Sequence, residues 1–247
     1  WRVADGREEC RRTFSLENFT DLAYRPFDVR RIYYHPSVVF NPRPAVMTQL
    51  LGRKNVALVT NRRIRTEEHA HFFVVGKICM AEMLSSADNC NVYPLLLVEE
   101  HLNSRIARPN LSPAFLKALS DRLNVGSTGQ DRLPAGLTPW DVFNYAYAVF
   151  HSPAYRSRYA DFLKIDFPRL PLTGSLELFR ALAHLGGELV SLHLMESPRL
   201  EALVTKYVGG RGPEVEKVSW SRNTIWLDKV QTVGFKGVRE EVWNFHI

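Results

Sequence analysis

The stretch Tyr24–Tyr34, YRPFDVRRIYY, decides where the first strands of this chain form. Pro26 fixes its own φ and pushes the preceding residue towards an extended conformation, which predicts a turn feeding a strand and not a helix. Its three arginines, Arg25, Arg30 and Arg31, would then lie at a rigid corner, where a planar guanidinium can bond phosphate or a guanine edge twice. The alternative is structural, because the aspartate of the stretch can pair with one of these arginines and close the corner.

Charge is distributed unevenly along the 247 residues. The formal net charge is +6, and residues 1–65 alone hold 13 basic against 6 acidic side chains, so the rest of the chain is nearly neutral. All but one of those cations, Lys54, are arginine, which favours planar recognition of phosphates and bases over diffuse attraction. The pattern predicts a partner with dense negative charge, nucleic acid first and an anionic membrane surface second.

A membrane partner lacks a second signal in the sequence. The chain has no apolar run of about 18 residues, no signal peptide and no lipidation motif. Its three cysteines have no Cys-x-x-Cys spacing, so the sequence indicates neither a disulfide framework nor a zinc cluster. We therefore expect a cytoplasmic protein with no membrane partner.

The order of apolar runs predicts an α+β fold. Strands are expected early, including a buried one at Asn55–Thr60, and again near the C-terminus, with helices between them. We expect the N-terminal and C-terminal strands to share one mixed sheet, with a helical subdomain inserted. The predicted regions are a lead-in segment at 1–23, a mixed α/β DNA-recognition subdomain at 24–110, a helical subdomain at 111–200 and C-terminal strands at 201–247.

The helical region carries clear start signals. Ser112, Thr138 and Ser152 are each followed by proline, the pattern of an N-cap residue with proline at the first helical position. A fourth, long helix is expected to begin after Thr173 or Ser175. Less regular signals earlier in the chain predict a short strand at 38–40 and a short helix at 79–84.

Motifs of catalysis are missing from the chain. It contains no Gly-x-Gly-x-x-Gly, no Gly-x-x-x-x-Gly-Lys and no Gly-x-Ser-x-Gly. His69 and His71 share a strand face and could hold a metal, yet no third ligand lies at a suitable spacing. We expect no metal site and no catalysis from this chain.

Two blocks of sequence together resemble a known family. The first is Tyr24–Tyr34, and the second comprises TPWDVFNYAYAV from Thr138, HSPAYRSRY from His151 and LKIDFPRLP from Leu163. The combination resembles the C-terminal specificity, or target recognition, region of type ISP restriction-modification enzymes. In that family one polypeptide carries a nuclease, a helicase-like motor, an adenine-N6 methyltransferase and a target recognition domain.

The resemblance implies a module that binds double-stranded DNA and positions an adenine for a methyltransferase domain outside this chain. S-adenosylmethionine would bind that methyltransferase domain, and helicase and nuclease domains would precede it. Family members usually continue past the segment that corresponds to Val242–Phe245, which contains Trp243, into a Gly-Gly-Tyr stretch. We therefore expect the last element to be truncated. The alternative is a structural or protein-interaction domain of such an enzyme, with its basic N-terminal region facing an acidic neighbour.

The residues that contact DNA are predicted from physics and not from the family, whose recognition residues differ with the target. Arg62, Arg63 and Arg65 follow a buried strand, and Arg53 and Lys54 precede it, so these five are the first candidates for groove and phosphate contact.

Five weaker candidates follow. Arg156, on a helix, and Arg169, in a proline-bracketed loop, have structural alternatives as a solvated and a buried side chain. Since the family shares the Tyr24–Tyr34 motif while its targets differ, Arg25, Arg30 and Arg31 are expected to be scaffold with at most a phosphate contact.

Overall fold

The computed structural model describes residues 2–62, 72–85, 88–101, 104–129 and 131–244. The helices are α1 (Val3–Arg12), α2 (Pro44–Met47), α3 (Pro113–Leu123), α4 (Pro139–His151), α5 (Pro153–Arg158), α6 (Ala160–Ile165), α7 (Leu176–His193) and α8 (Glu240–Trp243). The strands are β1 (Phe19–Arg25), β2 (Asp28–Tyr33), β3 (Ala57–Thr60), β4 (Phe72–Val75), β5 (Ile78–Cys79), β6 (Asn91–Pro94), β7 (Leu96–His101), β8 (Ser104–Pro109), β9 (Ser127–Thr128), β10 (Leu133–Pro134), β11 (Lys206–Val208), β12 (Ser219–Ser221), β13 (Thr224–Trp226) and β14 (Gly234–Lys236). The α+β fold class is confirmed.

The chain forms two compact units that divide between Met195 and Glu196. The first unit contains the early strands and the helical region, and the second contains a four-stranded sheet in the order β11-β14-β13-β12. Among the described residues, no helix is both long and apolar enough to cross a membrane. The boundaries of the four regions predicted from the sequence remain a prediction.

The expectation of one sheet shared by early and late strands is wrong. The early strands form small separate sheets, β2-β1-β5, β4-β3-β6 and the β7-β8 hairpin, and within the part of the chain that the structure describes the late strands β11 to β14 pair with one another alone. The cause is local: β12 and β13 are joined by a two-residue turn at Arg222 and Asn223, both at positive φ as a hairpin of this type requires. The late strands therefore satisfy their backbone groups without the first sheet.

The Tyr24–Tyr34 stretch forms the β1-β2 hairpin, with its turn at Pro26 and Phe27. Phe27 has a φ of 62°, and its ring packs edge-on against Phe73 and His193. The predicted turn feeding a strand is therefore confirmed, although strand β1 already begins within the predicted lead-in segment.

Two short elements predicted before β6 are absent. Residues 38–40 lie in turns, where the N–H groups of Val38 and Val39 both bond the carbonyl of His35. The expected helix at 79–84 does not form, because Cys79 ends β5, where it pairs in parallel with Ala23 of β1, and residues 81–84 lie in turns and bends.

Every predicted cap of the helical region is observed. Ser112, Thr138, Ser152 and Ser175 each accept a hydrogen bond from a backbone N–H of the first turn, and Thr138 forms a capping box with Asp141. The helix predicted to follow Ser152 is divided into α5 and α6 at Tyr159.

Helices α4 and α7 form the main packing contact of the first unit. One stripe of α7, with Phe179, Ala183, Gly186 and Val190 buried, faces α4. A Cβ built on Gly186 would lie 1.9 Å from the carbonyl oxygen of Asn144, so only glycine permits this approach of the two backbones. The β4-β3-β6 sheet covers the pair through Val56, Val74 and Leu95.

A buried cluster of rings joins this helix pair to β4. His193 of α7 lies with its Nδ1 2.6 Å from the Tyr147 hydroxyl and stacks on Phe73, while His151 donates from Nδ1 to the Tyr147 carbonyl at 2.9 Å. Burial lowers the pKa of both histidines to about 4 and raises that of Tyr147. The rings are therefore neutral at pH 7, and a hydrogen bond joins the Tyr147 hydroxyl to Nδ1 of His193.

Substitution of Gly186 tests the close contact of α4 with α7. We expect Gly186→Ala to lower the free energy of unfolding by about 3 kcal/mol, because the new methyl group must displace the Asn144 backbone. The matched control is Gly126→Ala, where a Cβ meets no described atom within 4 Å. Urea unfolding of both variants measures the difference, and equal stabilities would contradict the proposed constraint.

Acidification tests the neutral histidines. Since the pKa of His151 is depressed in the folded chain from an ordinary 6.5 to about 4, the unfolded chain binds the proton first, so stability is lost as the pH falls from 7 towards 4. Between pH 7 and pH 5 we expect this residue to account for a loss of about 2 kcal/mol. The variant His151→Gln should remove this share and leave that of His193, whose pKa is also lowered to about 4. The exposed-site control His184→Gln should retain the full dependence, and a flat wild-type profile would contradict the assignment.

Candidate nucleic-acid interface

Arg62 leaves the core at the end of β3. Thr60 and Asn61 before it are 2% and 1% exposed, so the point where the chain reaches the surface is fixed by the sheet. The Arg62 Nε lies 3.3 Å from Oδ1 of Asp166, and its guanidinium carbon lies 5.6 Å from the centre of the Phe167 ring. Phe167 is in turn held edge-on by Tyr93 of β6.

The loop that carries Asp166 and Phe167 is anchored by two tyrosine hydroxyls. Tyr145 of α4 donates to the carbonyl of Pro171 at 2.7 Å, and Tyr155 of α5 donates to the carbonyl of Arg169 at 2.9 Å. Burial raises the pKa of Tyr155 to about 12, so this hydroxyl keeps its proton as a donor. The loop that carries the partners of Arg62 is therefore attached to helices α4 and α5 by hydrogen bonds.

The contacts with Asp166 and Phe167 orient the Arg62 guanidinium and leave part of it available for another partner. Asp166 bonds Arg62 through Nε, so that contact leaves the two terminal amino groups, the pair that bonds O6 and N7 of a guanine or two phosphate oxygens. The pKa of Asp166 is lowered by the backbone N–H of Phe167 and by Arg62, which keeps the carboxylate ionised. Both side chains are more than half exposed, so the pair orients the arginine and adds little stability.

The other residues of the predicted basic loop are placed differently. Arg63 and Arg65, like His69 and His71, lie outside the described residues. Arg53 and Lys54 precede β3 and so lie at the opposite end of this strand from Arg62. Lys54 is exposed, whereas Arg53 bonds the Thr48 carbonyl through Nε at 2.8 Å. The strand thus separates the two halves of the predicted basic group.

The hairpin arginines make contacts within the fold. Arg25 donates to the backbone carbonyls of Tyr24 and Glu82. Arg30 pairs with Asp28 at 3.0 Å and lies 3.8 Å above the Tyr24 ring, and the more distant pair of Arg31 with Asp21 measures 3.9 Å. Their DNA contacts remain a prediction, and these bonds fit the scaffold role expected for the hairpin.

Arg156 and Arg169 differ in their surroundings. Arg156 donates from Nε to the Phe150 carbonyl at 2.9 Å and lies over the Phe72 ring, and burial lowers its pKa. Arg156 is half-buried, so the solvated helix face that was its structural alternative is not observed, and its contact with DNA remains a prediction. Arg169 is exposed, in the loop that also carries Asp166. The described residues contain no group of three or more side chains suited to a metal ion.

Sequence reasoning missed the partners of Arg62. Asp166, Phe167 and Tyr93 are distant from Arg62 in the chain, and no spacing rule joins them. The signal that could have found them is the proline-bracketed loop after Leu163, since a rigid loop carrying an acid, a ring and a cation is a poor candidate for a plain linker.

Comparison with protein families identifies the class to which this fold and site belong. The model of the type ISP C-terminal specificity domain matches residues 2–247. The chain therefore belongs to the type ISP C-terminal specificity domain family, as its sequence blocks indicated. Comparison with curated proteins returned no match.

Solved structures share the fold. One is the ATP-dependent type ISP restriction-modification enzyme LlaBIII bound to DNA, with a TM-score of 0.71, 16% identity and coverage of 100% of this chain and 16% of that one. The DrdV–DNA complex has a TM-score of 0.67 and 21% identity, and the match covers 99% of this chain and 24% of that one. A nuclease-deletion mutant of the type ISP enzyme LlaGI with a DNA substrate mimic has a TM-score of 0.61 and 20% identity, and the match covers 93% of this chain and 19% of that one. This chain thus spans less than a quarter of each of these proteins.

Proposed function

We propose that this chain is the target recognition module of a larger restriction-modification or adenine-N6 methyltransferase polypeptide and that it binds duplex DNA in a sequence-dependent way. Its family is a specificity domain, and the three similar structures are described as complexes with DNA or a DNA mimic. The excess of arginine in residues 1–65 supplies the charge that such a partner requires.

One observation carries the proposal, namely the orientation of Arg62 by Asp166 and Phe167. Charge alone attracts phosphate without a fixed orientation, whereas a guanidinium that distinguishes guanine from other bases must present two donors together. Asp166 and Phe167 lie on a loop that is held by hydrogen bonds from Tyr145 and Tyr155. The two terminal amino groups of Arg62 are therefore oriented before DNA binds.

Catalysis would belong to other domains of the same polypeptide, with methyltransferase, helicase and nuclease parts as the expected partners. S-adenosylmethionine would bind the methyltransferase domain. Among the described residues that line the apolar cavity beside α6, Asp166 is the only acidic one, and it is paired with Arg62. That cavity therefore does not fit the hydroxyl groups of such a cofactor, which supports the division of labour.

Selection of bound sequences from a pool of randomised duplexes tests the proposal. We expect the wild-type chain to enrich one short motif and Arg62→Ala to lose the preference at a single base pair, by about 5- to 150-fold, the equivalent of 1–3 kcal/mol for a bidentate contact. Arg62→Lys should lose it as well, because lysine keeps the charge without the fork.

The matched control is Arg108→Ala. Arg108 pairs through Nε with Glu99 at 3.0 Å, with 53% exposure of both side chains, and so repeats the Arg62–Asp166 geometry at another place. It should leave the enriched motif unchanged. Absence of any motif for the wild-type chain would contradict sequence-dependent binding and favour the protein-interaction alternative, whereas an unchanged motif for Arg62→Ala would reject Arg62 as the contact.

A further inference from the structure

A cavity of about 560 Å³ lies between helices α5 and α6 and the loop that follows them. Its walls carry the rings of Tyr155, Tyr159, Phe162 and Phe167. Two lining side chains of α6 are strongly exposed, Phe162 at 70% and Ile165 at 65%. Large apolar side chains exposed together around a concave surface are typical of a binding site, because a folded chain ordinarily buries them.

The walls of this cavity are rigid on both sides. The rings of Tyr155 and Tyr159 lie 5.1 Å apart on one side, and Tyr155 is almost fully buried. The opposite wall, Asp166–Pro171, is tied by the hydroxyls of Tyr145 and Tyr155 to the helical core. A flat ring can therefore enter without the walls first having to be ordered.

The rim of the cavity is basic. Arg62 stacks over Phe167, Arg158 lies 5.9 Å from the centre of the Tyr159 ring, and Arg169 itself lines the opening. Lys164 is exposed beside the lining residues. The two nearby carboxylates are those of Asp161, which is exposed on α6, and Asp166, which is paired with Arg62. An apolar interior with a cationic rim matches the two parts of a nucleotide, a flat base and a phosphate.

We propose that this cavity receives one nucleobase of the DNA that has left its stack, with the adjoining phosphates on Arg158, Lys164 and Arg169 of the rim. The inference rests on the proposed function, because it takes the bound polymer to be DNA, and it adds a second contact beside Arg62. Base extrusion leaves unpaired bases near the target, and aromatic walls accept any base by stacking. The site contributes affinity for opened DNA, while Arg62 contributes sequence preference.

Binding of paired and bulged duplexes by the chain tests this site. The probes are a labelled duplex and the same duplex with a single unpaired nucleotide, measured by fluorescence anisotropy. We expect the wild-type chain to bind the bulged duplex about tenfold more tightly, because the unpaired base needs no unstacking before it enters the cavity. Phe162→Ala should reduce the preference to about twofold or less, and Phe162→Trp should restore it, because a ring of either kind stacks.

The choice of residue avoids a folding artefact. Phe162 is mostly exposed, so its removal does not open the core, unlike removal of the buried Tyr155. The control Phe14→Ala removes a ring that is 60% exposed and does not line the cavity, and it should retain the wild-type preference. A single-stranded trinucleotide, followed by saturation-transfer NMR, provides a probe that does not depend on duplex binding.

The outcomes separate the site from the proposed function. Sequence-dependent duplex binding without a preference for the bulge would overturn the site and leave the function intact. Trinucleotide binding that depends on Phe162, in a chain that binds no duplex, would support the site and overturn the function. If Phe162→Ala changes no nucleic-acid affinity, the site is overturned and the exposed rings are explained by contact with a protein neighbour.

Discussion

The close approach of α4 and α7 at Gly186 is the constraint on which the first unit depends. The absence of a side chain lets the α7 backbone meet the Asn144 carbonyl, and the two helices then bury Tyr145, Tyr147, Phe179 and Val190 together. Ring-to-ring contacts carry this packing to β4 and its sheet. Both sides of the candidate interface begin from this helix pair and the sheet that covers it.

Hydrogen bonds from two buried tyrosines hold the surface loop that contacts Arg62. Tyr145 and Tyr155 hold the backbone of the loop at Arg169 and Pro171, and that loop presents Asp166 and Phe167 to Arg62. The ion pair itself is exposed and weak, so its value lies in orientation. A module for which we propose sequence recognition needs such orientation more than it needs added stability, since a displaced guanidinium cannot match two acceptors.

Helix caps, which depend on local sequence, could be predicted, whereas contacts between residues distant in the chain could not. The caps at Ser112, Thr138 and Ser175 depend on a few neighbouring residues, and all are observed. The separate late sheet was missed, because alternation predicts strands without saying which strand pairs with which. Arg156 could not be placed either, since an arginine on an amphipathic helix is ordinarily solvated and only the packed rings show that it is half-buried.

The candidate interface was predicted only on one side. Arg62 follows a buried strand, which pointed to a presented side chain, but its pairing with Asp166 spans 104 positions and leaves no periodic trace. For the same reason the hairpin at Tyr24–Tyr34 could be identified as a corner closed by Asp28, which pairs with Arg30, while the bond of Arg25 to the Glu82 carbonyl could not be predicted. The family resemblance indicated which blocks mattered, and the structure shows that the second block builds the loop that orients Arg62.

The central claim is that this chain binds duplex DNA through its cations, and the salt dependence of duplex affinity in a gel-shift titration tests it most directly. If the proposal is correct, the affinity is measurable at low salt and its logarithm falls linearly with that of the salt concentration, with a slope of about −4 or steeper for five or more phosphate contacts. A chain that retains no duplex at low salt, or one whose affinity is indifferent to salt, would contradict the claim.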